Sequence, residues 1–281
     1  MKRIRIALQK KGRLAEDSFR LLSEAGIIIP AAGERLRVPA INYPLEAYLL
    51  RDDDIPAYVA DGVADIGIVG ENVVYESGQP VEIIRRLGFG RCRLSLAVPK
   101  DSTIQSIEHL HGKRVATGYP RLTHHYLSEM GIKATIHALH GSTEIAPSLG
   151  LAEAIIDIVA TGSTLLLHGL REIHTFLHSE AILIQRRGDT QTYEDFLFRI
   201  DAVLAARQQK YILFNLPESA LPAVLKLLPG LKSPTVMPLA EPGWISVHTV
   251  VEEKLFWEIA QQLQGLGAQG LLVMNIEKLI R

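Results

Sequence analysis

Glu144-Ile-Ala-Pro-Ser-Leu-Gly150-Leu-Ala152-Glu-Ala-Ile-Ile-Asp157-Ile-Val-Ala160-Thr161-Gly162-Ser163-Thr164-Leu165 is the stretch whose reading decides the fold. Ala154 to Ala160 is an apolar run broken only by Asp157, the pattern of a buried strand. It passes directly into Thr161, Gly162, Ser163 and Thr164, and then into the helical-looking Leu165–Leu170. A strand that breaks into small hydroxyl residues and opens a helix suits a phosphate. The helix start leaves N–H groups unpaired, Gly162 allows close backbone approach, and the hydroxyls can donate to phosphate oxygens. Read locally, the same residues also fit a plain N-capped helix after a strand.

Outward from this stretch, short apolar strands alternate with amphipathic helices, which predicts an α/β chain with mainly parallel sheets. Strands are expected at Ile4–Leu8, Leu45–Leu50, Ala64–Gly70, Leu94–Val98, Lys113–Thr117 and Ala134–Ala138, with Ala181–Gln185 returning. Helices are expected at Leu14–Ala25, closed by Gly26, from Asp54 onward, and near Leu122–Met130. The last part has a different rhythm. Lys210–Leu216, Glu218–Leu228, Pro234–Leu239, Trp244–Val251, Glu252–Leu266 and Gly270–Asn275 read βαββαβ, the ferredoxin-like order. Phe196–Arg207 has helical spacing and would link this module to the rest.

Composition bounds the function. The chain has 281 residues, 47% of them hydrophobic, enough for two or three compact units. A net charge of −1 indicates no polyanion such as nucleic acid as partner. No stretch approaches the roughly 20 apolar residues of a membrane span. Cys92, the single cysteine, forms no internal disulfide and suits a reducing, cytoplasmic setting. The ten histidines show no zinc-ligand spacing, and neither a G-x-S-x-G elbow nor a nucleotide P-loop occurs.

Other constellations carry chemistry. Gln9-Lys10-Lys11-Gly12-Arg13 stands where the first strand meets the first helix, and basic residues with a glycine there suit an anion or form a solvated turn. Arg51 precedes Asp52, Asp53 and Asp54. Asp54 reads as an N-cap with Pro56 in the first turn, Mg²⁺ is the alternative use of the other two carboxylates, and Arg51 suits a substrate anion. Glu71 follows a strand end. Arg91 and Arg93 flank Cys92 next to a potential hinge at Gly90, and for them a salt bridge and a ligand contact are equally open.

Glu144 and Asp157 lie thirteen residues apart, with Gly150 and Ala152 between them and Thr161-Gly162-Ser163-Thr164-Leu165 after. In this spacing the chain resembles the ATP phosphoribosyltransferase family in its long form, from Ile4 to the C-terminus. The resemblance implies a two-lobed catalytic domain like the type II periplasmic binding proteins plus a C-terminal ferredoxin-like α+β regulatory domain. The expected division is residues 1–92 and 178–207 for lobe 1, 93–177 for lobe 2, and 208–281 for the regulatory domain. The implied reaction moves phosphoribosyl from 5-phosphoribosyl 1-diphosphate to N1 of the adenine of ATP, with Mg²⁺, as the first step of histidine biosynthesis. Under the same resemblance Thr161, Gly162, Ser163, Thr164 and Leu165 form the phosphoribosyl loop, and Asp157 and Glu144 contact the ribose. Gln9, Lys10, Gly12, Arg13, Arg51 and Glu71 face ATP, while no metal ligand is assigned. Asp157 as a buried acid capping the loop backbone stays open beside the ribose role.

Leu228–Leu239 and Trp244–His248 resemble the long-form regulatory module, with Thr235 at a position that contacts the effector L-histidine. A module used only for assembly is the alternative. The resemblance further implies competition by AMP and ADP, assembly from dimers to hexamers, and loss of histidine inhibition on removing residues after about Arg207. Two rivals share the outline. Prephenate dehydratases rely on a Thr-Arg-Phe sequence absent here, and solute receptors of this fold are usually exported.

Overall fold

A computed structural model describes residues 3–228 and 233–280. They form two compact units, Met1–Arg20 with Ile27–Gln191, and Leu21–Gly26 with Thr192–Arg281. The first unit holds two sheets. Its chain runs β1 (Ile4–Gln9), α1 (Arg13–Glu24, whose last turn counts with the second unit), β2 (Arg37–Pro39), β3 (Leu45–Leu50), α2 (Ile55–Ala60), β4 (Ile66–Gly70), α3 (Glu71–Ser77) and β5 (Val81–Arg86). It then crosses into β6 (Cys92–Pro99), β7 (Arg114–Thr117), α4 (Pro120–Glu129), β8 (Thr135–Ala138), β9 (Ala154–Val159), α5 (Ser163–Leu167) and β10 (Leu170–Ser179), and returns in β11 (Ala181–Arg186).

The six-stranded sheet has the order β2-β3-β1-β4-β11-β5, and the five-stranded sheet the order β10-β6-β9-β7-β8. Strands β3, β1 and β4 are mutually parallel, as are β8, β7 and β9. Strands β11 and β6 run antiparallel to the parallel strands beside them. The sheets are therefore mixed rather than mainly parallel, because each lobe takes in one strand from the chain's passage to or from the other. The two passages are tied together where Ala181 N–H donates to Phe89 O at 2.8 Å and Leu87 N–H donates to Ala181 O at 3.0 Å. Gly90, in the first of them, has φ +63°, a left-handed conformation that favours glycine.

Both faces of the central strands are covered, so they read as continuous apolar runs. One lobe is built on Ala7, Ile55, Val59, Val69, Ile182 and Ile184, the other on Leu94, Leu96, Val98, Val115 and Ile156. Full burial of each larger aliphatic side chain contributes about 1.5–3 kcal/mol.

Elements absent from the sequence reading have physical reasons. Strand β10 carries His174, Thr175 and His178 and shifts register twice against β6, so its alternation is broken. The helix expected over Leu165–Leu170 is only the five-residue α5, and Gly169 at φ +67° follows it. The short β2, α3 and β5 carry little periodicity of their own.

The second unit contains α6 (Glu194–Arg207), β12 (Gln209–Pro217), α7 (Leu221–Leu227), β13 (Thr235–Pro238), β14 (Trp244–Glu252), α8 (Phe256–Gly265) and β15 (Gln269–Asn275). Its antiparallel sheet has the order β13-β14-β12-β15, the ferredoxin-like arrangement read from βαββαβ. Ile212, Phe214 and Val247 meet Phe256 and Leu263 of α8 in its core. Helix α6, assigned from sequence to the first lobe, counts with this unit. Arg207 pairs with Glu24 at 2.8 Å, and Leu279 N–H donates to Ala202 O at 2.9 Å. Of the stretch Leu228–Leu239, Pro229, Gly230, Leu231 and Lys232 lie outside the described residues.

Candidate active site

The loop that the sequence offers to a phosphate starts from strand β9. Its side chains alternate, so Ile155, Asp157 and Val159 share a face with Ala146 and Leu165, while Ala154 and Ile156 fill the opposite core. Asp157 is thus a half-buried carboxylate on an otherwise apolar strand face. The Thr143 hydroxyl donates to Asp157 Oδ2, and Ile158 N–H donates to Oδ1 at 2.7 Å. Burial pushes the Asp157 carboxyl up, and the nearby negative charge of Glu144 adds to it, against the lowering effect of those two hydrogen bonds.

Past Val159 the chain leaves the sheet. Gly162 takes φ +82°, and no heavy atom lies closer than 3.9 Å to where a Cβ would stand, so only backbone conformation demands the glycine. The Thr161 and Ser163 hydroxyls are 2.9 Å apart. The N–H groups of Gly162, Thr164 and Leu165 have no protein acceptor among the described residues. Helix α5 spans barely more than one turn, so its dipole adds little and the loop is left with these amides and alcohols. They line a cavity of about 250 Å³ with Arg13, Thr143, Glu144 and Asp157.

A larger cavity of about 940 Å³ adjoins it, formed where strands of both lobes end. Gln9 ends β1 and Lys10 and Lys11 follow it, Arg51, Asp52 and Asp53 follow β3, Gly118 and Tyr119 follow β7, and His140 and Gly141 lie beyond β8. Glu76 of α3 and Asp157 complete the wall. Lys10, Lys11 and Arg51 make no ion pair among the described residues, which leaves three cations facing the space. Asp157 lines both cavities. The Tyr119 phenol stays protonated well beyond its usual range because it is buried, with Asp157 and Asp52 adding negative charge.

Several candidate residues fall elsewhere than the sequence suggested. Arg13 lines the smaller cavity and not the larger one, since it opens α1 and reaches across to the loop after β9. Gly12, at φ +101°, shapes the turn that presents Lys10 and Lys11 but is not in the cavity wall. Glu71 is 3% exposed and paired with Arg86 at 2.5 Å, and it accepts a hydrogen bond from the Tyr75 hydroxyl at 2.8 Å. Arg86 holds its carboxyl below the usual range. It lines a separate pocket with Arg91 and Cys92, so it does not face the large cavity.

Arg93 is a clamp. Both its Nε and Nη2 donate to Glu172 at 2.6 Å, and Nη1 donates to Ala160 O at 3.2 Å, at the foot of the loop. Asp54 stands at the N-cap position of α2 with no side-chain cap bond. Lys11, Glu76, Tyr119, His140 and Thr143 were not singled out from sequence. Thr117-Gly118-Tyr119-Pro120 carries the available signal, a strand end, a glycine and a helix-opening proline. Among the described residues no three His, Cys, Asp or Glu side chains converge as a metal cage. The oxygens of Asp52, Asp53 and Asp157 are nevertheless hard donors of the kind that suit a divalent metal ion.

Two lobes of α/β structure, with a loop of unpaired amides and hydroxyls beside a cation-lined cavity, define a two-lobed protein with room for phosphorylated ligands. A family model described as ATP phosphoribosyltransferase matches residues 51–207, and one described as HisG, C-terminal domain, matches residues 206–278. ATP phosphoribosyltransferases of Cytophaga hutchinsonii and Bacteroides thetaiotaomicron are 51% and 49% identical to this chain, with 99% of each sequence covered. The chain belongs to the ATP phosphoribosyltransferase family.

Among solved structures, the ATP phosphoribosyl transferase (HisG:HisZ) complex from Thermotoga maritima matches with TM-score 0.61 and 27% identity, covering 70% of this chain and 98% of that one. A histidine kinase sensor domain similar to periplasmic binding proteins matches with TM-score 0.50, 12% identity and 71% and 89% coverage, a likeness of fold alone. The chain is a phosphoribosyltransferase of histidine biosynthesis, in the long form with its own C-terminal module. The family generally uses a divalent metal. No helix among the described residues is long and apolar enough to cross a membrane.

Proposed function

We propose that the two cavities divide the substrates of the family reaction, ATP and 5-phosphoribosyl 1-diphosphate, and that Asp157 stands where they meet. The 5-phosphate takes the free amides of Gly162, Thr164 and Leu165 and the hydroxyls of Thr161, Ser163 and Thr164. Arg13 adds a charge-assisted contact to the donor. Lys10, Lys11 and Arg51 offer positive charge to the triphosphate of ATP. Adenine N1 attacks the ribose anomeric carbon, the new N–C bond forms as the C–O bond to diphosphate breaks, and positive charge grows on the ring.

Asp157 and Glu144 accept ribose hydroxyl protons in hydrogen bonds and stabilise that charge. No covalent enzyme nucleophile is required, and alignment of the two bound substrates supplies much of the rate. Asp52 and Asp53 would offer oxygens to a Mg²⁺ ion, which would supply positive charge against the diphosphate of the donor. The observation that carries this reading is that Asp157 belongs to the walls of both cavities. Steady-state assays of Asp157→Asn and Thr164→Ala test it. Loss of one charge-assisted hydrogen bond costs about 1.5–3 kcal/mol, so turnover or donor affinity falls about tenfold or more. Wild-type kinetics in both variants would remove the assignment.

The second unit is the proposed histidine sensor. On β13, Thr235 lies opposite His248 of β14, on the sheet face where Tyr211 Oη is 2.8 Å from His248 Nδ1 and Ser246 Oγ is 3.2 Å from His248 Nε2. Polar groups on a sheet face away from the α8 core support an effector role for Thr235. Competition by AMP and ADP, assembly of dimers into hexamers and a cytoplasmic setting belong to the same proposal. The setting is supported by lone Cys92, which forms no internal disulfide.

A further inference from the structure

Helix α4 begins without a cap of its own. Its N-cap position is Tyr119, which makes no side-chain cap bond, and Pro120 opens the first turn. The amides that follow are satisfied from the other lobe. Glu76 of α3 accepts Arg121 N–H at Oε1 and Leu122 N–H at Oε2, both at 2.9 Å. Two residues on, Gly78 at φ +62° lets the Arg121 guanidinium lie where a Cβ would stand. At the start of α3, Asn72 is 5% exposed, donates from Nδ2 to Tyr119 Oη at 3.1 Å and accepts Ser179 Oγ–H at 2.8 Å. Ser179 closes β10, where the chain crosses back between lobes.

We infer that Glu76 is a positioning residue, which sets the separation of the lobes by capping α4 of one lobe from α3 of the other. The inference rests on the two-cavity reading above and adds to it the device that holds the cavities in register. Glu76 and Tyr119 both line the large cavity, so the capping contact is part of its wall. While the cap is made, Gly118 and Tyr119 are fixed beside Asp157. When the lobes part, two amides and a carboxylate return to water together, and the wall opens at that point. The group acts through α4 and needs reach and two acceptor oxygens, of which a Gln keeps one and a shorter Asp, lacking reach, keeps neither in place.

Three variants separate reach from charge. Glu76→Gln keeps the length and one acceptor oxygen, Glu76→Asp keeps the charge but is one methylene shorter, and Glu76→Ala keeps neither. Kinetics of each on both substrates are to be read together with an inter-lobe distance. That distance comes from nitroxide labels at Glu34→Cys and Lys133→Cys in a Cys92→Ser background, with labelled chain diluted into unlabelled chain. Both label positions are exposed. The expected result is that Ala raises KM for ATP about tenfold and lengthens or broadens the distance distribution, and that Gln restores both better than Asp. An unchanged distribution in Ala, or better rescue by Asp than by Gln, would overturn the inference. The distance measurement stands apart from turnover, so it decides the lobe contact even if the assignment of substrates to cavities fails.

Discussion

In the proposed reading, Asp157 carries more of the chemistry than any other side chain. It is an acid on a strand face packed by apolar residues, with Glu144 close enough to oppose its ionisation. Accepting ribose hydroxyls while positive charge grows on the ring requires the ionised form. Its folded-state pKa is raised, so the ionised fraction is lost at a higher pH than for a free aspartate. The acid limb of kcat/KM is therefore expected above the usual 3.8, and Glu144→Gln is expected to move it down by removing a like charge. A pH–rate profile checks both, and a limb unmoved in Glu144→Gln would detach Glu144 from this role. The opposite sign holds for Glu172, which the Arg93 hydrogen bond lowers from 4.5 to about 2. Its contribution to stability is present above the unfolded value and fades as pH falls toward 2.

At the scale of elements, the loop after β9 was legible because its pieces agree. An apolar run, one acid, small hydroxyl residues and a glycine can hardly be anything other than a strand running into a close-approach turn. Helix α5 is too short for its dipole to add a field, which leaves the unpaired amides and the hydroxyls of the loop. Gly162→Ala is expected to keep the space but strain the backbone by about 1–2 kcal/mol, because φ +82° is left-handed. Donor affinity should drop, and the melting temperature should fall by roughly 2–4 °C per kcal/mol of strain; titration calorimetry beside a thermal melt reads the two effects separately.

Arg13, Glu71 and Glu76 were less legible. Their roles depend on which lobe each side chain reaches, and spacing along one strand or helix does not encode that. Glu71 looked like a cleft residue by its place after β4, yet Arg86, on a strand unseen from sequence, takes its carboxylate. Strand β10 stayed hidden because its bulges break the period on which strand reading rests.

At the scale of the molecule, the two-lobed plan and the ferredoxin-like module were both readable as rhythms of alternating elements. Sheet direction was not, because antiparallel β6 and β11 arise from how the chain crosses between lobes. The C-terminal unit carries the regulatory proposal. Thr235→Ala is expected to leave uninhibited turnover unchanged while raising the histidine concentration for half inhibition about tenfold, the cost of one lost hydrogen bond of about 1–1.5 kcal/mol. Inhibition assays on the full chain decide it, and insensitivity of the wild-type protein to millimolar histidine would remove the regulatory role.

The account as a whole turns on where the donor's phosphate binds, and a crystal soaked with ribose 5-phosphate reports that directly. The predicted result is phosphate density within hydrogen-bond distance of the Gly162, Thr164 and Leu165 amides, with the ribose hydroxyls at Asp157. An empty loop with the sugar bound elsewhere on the chain would contradict it.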